Sequence, residues 1–190
     1  MNQIAQDQSG RSMSAWLIGS TVAAAREEDL MAPGFDYHKQ APQGIAPLLQ
    51  LESYLRECGL DHRLLHLLKT RASQINGCAY CLDMHTKDAR AAGESEQRLY
   101  ALSAWRDAPF FNDRERAALA LTERVTLIAE SHDDEPAFAE LRRHFTDREI
   151  VDLTLAIVAI NAWNRLAITF HPTVGSYQPS PTAVQHGASS

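Results

Sequence analysis

The stretch Asp61 to Gly93, "DHRLLHLLKTRASQINGCAYCLDMHTKDARAAG", decides the fold class. Asp61 is a good N-cap, and Leu64, Leu65, Leu68 and Ala72 recur at the three- and four-residue spacing of a helical stripe. Asn76-Gly77 then interrupts the pattern, as a helix C-terminus does. A second helix starts at or near Cys78 and runs to Gly93. Two helices separated by so short a break, with no alternating β-branched run on either side, predict an all-α protein.

The same punctuation extends outward. A helix is expected from about Ile45 to Cys58, with Pro47 in its first turn and Gly59 as its stop. A short one follows Gly93, from about Ser95 to Trp105. Asn112 with Glu115 three residues on forms a capping-box signature, opening a helix to about Ala129. Asp134 and Pro136 open a shorter helix ending near Phe145. Thr146 with Glu149 repeats the capping box before "IVDLTLAIVAINAWNRLAITF" (Ile150–Phe170), apolar on nearly every face except at Asn161, Asn164 and Arg165. That segment reads as the buried central helix; Asn161, Asn164 and Arg165 could line a channel or bond across a subunit interface, the structural role being preferred.

The 190 residues, 45% of them hydrophobic, suffice for one substantial core. A single helical domain over 41–178 is expected, with an N-terminal extension over 1–40, partly flexible, and a disordered tail over 179–190. Loose character is expected to begin near residue 172, where Pro, Ser and Gly accumulate. The 18 Lys plus Arg against 24 Asp plus Glu give a net charge of −6, with no basic stripe, which argues against nucleic acid and anionic membranes as partners. Three cysteines, one of them the isolated Cys58, cannot build a secreted disulfide scaffold, so a cytoplasmic location is expected. The apolar segment "AWLIGSTVAAA" (Ala15–Ala25) is short and preceded by Asp7, so it makes a poor signal peptide. No uninterrupted apolar run reaches the roughly 18 residues of a membrane span.

The chemistry gathers at "NGCAYCLDMH" (Asn76–His85). On a helix, positions i, i+3 and i+7 share a face, so Cys78, Cys81 and His85 form one column. Helix N-termini stabilise a thiolate through unpaired amides and the helix dipole. A thiolate beside a second thiol can attack a peroxide, become a sulfenic acid and condense to a disulfide, without a cofactor. His85 is placed to take and return a proton. The competing reading is a non-catalytic module in which the pair packs as small hydrophobes, or binds zinc with His85 and His62 or His66. A haem attachment site would need histidine where Leu82 stands, and a thioredoxin-like site would need a preceding strand.

The run "LLKTRASQINGCAYCLDMHTKDARAAGESEQRL" (Leu67–Leu99) resembles the core motif of the alkylhydroperoxidase D-like, carboxymuconolactone decarboxylase superfamily. "FFNDRERAALALTERVT" (Phe110–Thr126) and "INAWNRLAI" (Ile160–Ile168) are similar to its flanking helices. The resemblance implies antiparallel helical hairpins assembled into trimers or hexamers. It also implies thiol peroxidase activity on alkyl or lipid hydroperoxides, with a thiol or lipoyl-type protein as reductant. It makes Cys81 the attacking and Cys78 the resolving sulfur, with His85 in a proton relay. One departure stands out: the family's relay glutamate, twelve residues before the first cysteine, is His66 here. His66 is therefore a relay candidate, with Glu52 or Glu57 as carboxylates that could replace the missing one. Tyr80 between the cysteines could donate to substrate or sit at a subunit contact. Lys69 and Arg71 are expected on a solvated face.

Overall fold

Gly77 is where the central hairpin turns. Its φ of 68° lies in the left-handed region that glycine enters without a Cβ penalty. Its amide donates to the Gln74 carbonyl at 3.3 Å and the next amide, Cys78, to Ser73 at 3.0 Å, so the helix closes on its own last carbonyls.

The computed structural model describes residues 35–131 and 135–179. Within them the chain is helical without strands: α1 (Tyr37–Gln40), α2 (Pro42–Glu57), α3 (His62–Asn76), α4 (Ala79–Ala91), α5 (Glu96–Ala101), α6 (Asp113–Thr126), α7 (Glu135–His144) and α8 (Asp147–Phe170). A single 3-10 turn, Leu102–Ala104, extends α5. Helix α3 packs against α4, α6 and α8, and α8 also receives α2 and α6. The main core lies among them, built on Leu67, Leu68, Leu119, Leu153, Ile157 and Ala156.

The expected capping signals operate as written. Asp61 accepts from the Arg63 amide, and Asn112 and Thr146 each form a full reciprocal box with Glu115 and Glu149. Several boundaries differ. Helix α2 starts at Pro42, whose missing N–H suits the first turn, so Pro47 stands inside the helix and not at its start. The Ser95–Trp105 helix is α-helical only to Ala101 and then tightens. Helix α6 stops at Thr126, three residues short of Ala129.

Two segments expected to be loose are tied down. Residues 35–40, placed in the extension, carry α1, capped by Asp36, and the ring of Phe35 stacks on Phe170 with centroids 4.8 Å apart. Residues 171–179 run back along α4. Lys87 donates to the carbonyls of Gly175 and Tyr177, the Gly175 amide donates to Asp83, and the Tyr177 hydroxyl donates to Asp88 at 2.6 Å. The rest of the expected extension, including 15–25, and the tail from residue 180 lie outside the described residues.

Helix α8 is long and apolar enough, by length and mean hydropathy alone, to cross a bilayer. A count of uninterrupted apolar runs overlooks it, because three polar residues break the run. The two asparagines among them are satisfied inside the protein, and Arg165 is exposed and donates back to Asn161. Asn76 donates to Asn161 at 3.0 Å and to Asn164 at 2.8 Å, Asn164 donates to the Ser73 hydroxyl, and Asn161 donates to Thr126. A fourth polar residue, Asp152, is also buried and accepts from the Tyr54 hydroxyl at 2.6 Å. Helix α8 is thus a core helix locked to α3 by an asparagine network.

Candidate functional site

Cys78 is the N-cap of α4 and Cys81 lies in its first turn, because Gly77 ends α3 one residue earlier. Both sulfurs are 1% exposed and sit in a small apolar cluster with Ala72, Ile160 and Ala167, edged by Tyr80 and Trp163. Neither is in a disulfide. The two thiols act on each other in opposite directions.

Cys78 is drawn down to about 6: the Cys81 thiol donates to it, and the amides of Cys81 and Tyr80 and the Asn164 side chain favour its anion against the cost of burial. Cys81 is pushed up, first by donating that bond and then by burial and the charge beside it. The pair therefore titrates as a unit, losing one proton easily and holding the other firmly.

Of the two imidazoles, His85 is one turn beyond Cys81 on α4 and His66 comes from α3. His85 is 6% exposed and faces His66 of α3, with ring centroids 6.3 Å apart. Burial, reinforced by the charge of Lys69, lowers the pKa of His66 to about 4 and that of His85 well below its ordinary value. Both are neutral bases at pH 7. The Nδ1 atoms of both rings are buried without a hydrogen-bond partner. Among the described residues no hydrogen bond joins either ring to a sulfur.

The two carboxylates weighed as stand-ins for the relay glutamate differ in placement. Glu57 is exposed. Glu52 is engaged by Lys69 at 2.5 Å and by the Trp163 indole at 3.1 Å. Lys69 itself, expected on a solvated face, is only 9% exposed, and its charge favours the Cys81 anion. Arg71 is likewise paired, with Glu123. The carboxylate that does reach the histidines is Asp88, one turn beyond His85. Burial raises its pKa, opposed by the Tyr177 hydroxyl.

Asn164, read from the sequence as a structural polar residue of the apolar helix, also favours the anions of both thiols. The sequence did not point to three other groups. Tyr37, near enough to both cysteines and Tyr80 for their charges to raise its pKa along with burial, carries no local signal. Asp88 and Tyr177 lie 89 residues apart and meet only in the fold. Cys58 donates to the Leu55 carbonyl at 3.2 Å and belongs to the end of α2, away from the pair.

Comparison with known proteins fits this arrangement. Residues 42–124 match the carboxymuconolactone decarboxylase family. The chain is 41% identical over 138 residues to the uncharacterized protein YdfG of Bacillus subtilis, covering 73% of this chain and 94% of that one. A crystal structure of a protein of unknown function from Agrobacterium tumefaciens, provisionally assigned to antioxidant defence as AhpD, is 45% identical. It superposes with a TM-score of 0.71 over 78% of this chain and 99% of that one. An uncharacterized peroxidase-related protein from Silicibacter sp. TM1040 shares the fold at a TM-score of 0.63 and 24% identity, over 76% and 74% of the two chains. With its cysteine pair at the head of the second helix of the central hairpin, this chain belongs to the carboxymuconolactone decarboxylase family, in the alkylhydroperoxidase D-like superfamily.

Proposed function

We propose that the protein is a dithiol peroxidase that reduces organic hydroperoxides. The observation that carries this reading is the placement of two thiols at the N-terminus of α4, Cys78 as its N-cap and Cys81 in its first turn, where the Cys78 anion is favoured. At pH 7 such a pair holds one negative charge and one proton, which is the state a peroxide meets. The charge rests on Cys78, whereas the family resemblance makes Cys81 the nucleophile. The S–H···S hydrogen bond reconciles them, because Cys81 becomes the thiolate by passing its proton to Cys78 without the charge leaving the pair.

The Cys81 thiolate attacks the distal oxygen, the O–O bond breaks, and the sulfur becomes a sulfenic acid while an alkoxide departs. The alkoxide takes one proton, delivered from solvent through His85 and His66 by way of a bridging water. Cys78 then attacks the sulfenic sulfur, forming the disulfide and releasing water. A dithiol reductant, a thiol or lipoyl-type protein, returns the disulfide to two thiols. With the sulfurs 1% exposed, peroxide entry requires local opening beside Tyr37 and Tyr80. A trimeric or hexameric assembly and a cytoplasmic location belong to the same reading.

The test is peroxide turnover with cumene hydroperoxide and dihydrolipoamide in the wild type and two variants. Cys81→Ser should abolish consumption, and Cys78→Ser should leave a sulfenic acid on Cys81 that dimedone labels. Dimedone labelling confined to Cys78 in the Cys81→Ser protein would reverse the two roles. Wild-type turnover in both variants would defeat the peroxidase reading.

A further inference from the structure

Next to the cysteine motif, the two imidazoles share a side-chain cluster with Asp88. His66 comes from α3, and His85 and Asp88 come from one face of α4 at three-residue spacing. One ring nitrogen of each histidine and a carboxylate oxygen of Asp88 all lie within 4.8 Å of one another. The Nδ1 atoms of His66 and His85 are buried with nothing to bond. A buried polar atom left unpaired is costly, so each of these two nitrogens calls for a partner. The neighbouring cation is Lys69, and Glu52 holds it at 2.5 Å, partly offsetting its charge.

We infer that His66, His85 and Asp88 form a binding site for a divalent transition cation of the zinc type, with a fourth position left for solvent. Two imidazoles and one carboxylate are a donor set such ions take, with bonds of about 2.0–2.2 Å. Ligand atoms that close around one ion stand roughly 3.3 Å apart, so the set has to contract by about 1.5 Å at its widest. The carboxylate is already oriented: Tyr177 donates to Asp88 Oδ1 at 2.6 Å, the kind of outer hydrogen bond that steadies a metal ligand. The site excludes the cysteines, in contrast to the zinc clamp of Cys78, Cys81 and His85 that the motif alone suggests. It also gives the histidine that replaces the family glutamate a role of its own. The inference does not rest on the peroxidase reading, and an ion held on His66 and His85 would take both imidazoles out of the proton relay.

Cobalt titration of the full-length Cys78→Ser, Cys81→Ser protein tests it, because cobalt reports its ligands in the visible spectrum. One equivalent should bind with d–d bands of nitrogen and oxygen ligation, and zinc should displace it. His66→Gln and Asp88→Asn in that background should each weaken binding at least tenfold, with the helical circular dichroism spectrum retained. Tyr177→Phe, which touches no ion, should weaken it less but measurably. Absence of stoichiometric binding at 100 μM free cobalt, taken as roughly the weakest affinity worth calling a site, would overturn the inference. Binding that His66→Gln and Asp88→Asn leave unchanged would overturn it too.

Discussion

One proton shared by two sulfurs sets the behaviour of the site. The lowering of Cys78 to about 6 is led by the Cys81 thiol, with α4 amides and Asn164 behind it. A thiolate absorbs near 240 nm, so a pH titration of that absorbance reads the charge without needing reagent access. The first step should fall near pH 6 in the wild type, well below the free-thiol value of about 8.5. Since the anion is the favoured form, the thiolate fraction rises through this step as pH increases. In Cys81→Ala the leading donor is removed and the step should move upward. A wild-type step that stays near 8.5 would contradict the shared-proton description. At this scale the sequence is informative about the motif itself: Cys78, Cys81 and His85 fall on one helix and their spacing fixes their order. It says nothing of Tyr37, Tyr177 or the Asp88 contact, which depend on segments far away in the chain.

At the scale of elements, the turn at Gly77 positions everything downstream. A Cβ there meets no neighbour, so the cost of Gly77→Ala comes from the positive φ alone. The variant should lose about 1 kcal/mol, read as a lower urea midpoint at unchanged slope. Its 240 nm step should also rise, because a displaced N-cap points fewer amides at Cys78. Helix starts were legible because Asp61, Asn112 and Thr146 are caps with partners within three residues. Helix ends were less so. Helix α6 stops at Thr126 where Leu127 leaves helical geometry, with φ −99° and ψ 39°, and no glycine or proline marks that place. The strap over 171–179 was misread for a related reason. Its Pro, Ser and Gly content describes a segment without regular structure, which is true, but its anchoring comes from Lys87, Asp83 and Asp88 of another helix.

Across the whole molecule, the asparagine network is the joint between the hairpin and the core helix. Asn76 spends its amide on Asn161 and Asn164, while Asn164 donates to Ser73 and faces the sulfurs. Asn164→Leu would remove one acceptor of the Asn76 amide and the donor to the Ser73 hydroxyl, both in the interior. A loss of about 2 kcal/mol is expected, measured by chemical denaturation. The thiol step should rise along with it, since the same amide favours the Cys78 anion. A stable variant with an unshifted thiol would show that the network neither joins the helices nor tunes the pair.

The contributors to this centre come from three separated stretches of chain. The span that matches the family is 42–124, yet Tyr37 precedes it and Asn164 and Tyr177 follow it. Transplanting the cysteine-bearing hairpin into another scaffold would carry over both thiols and both imidazoles. It would leave behind the amide, the two phenols and the apolar roof from α8. Such a graft would own the motif and lack its surroundings, with sulfurs open to water and titrating closer to those of a short peptide.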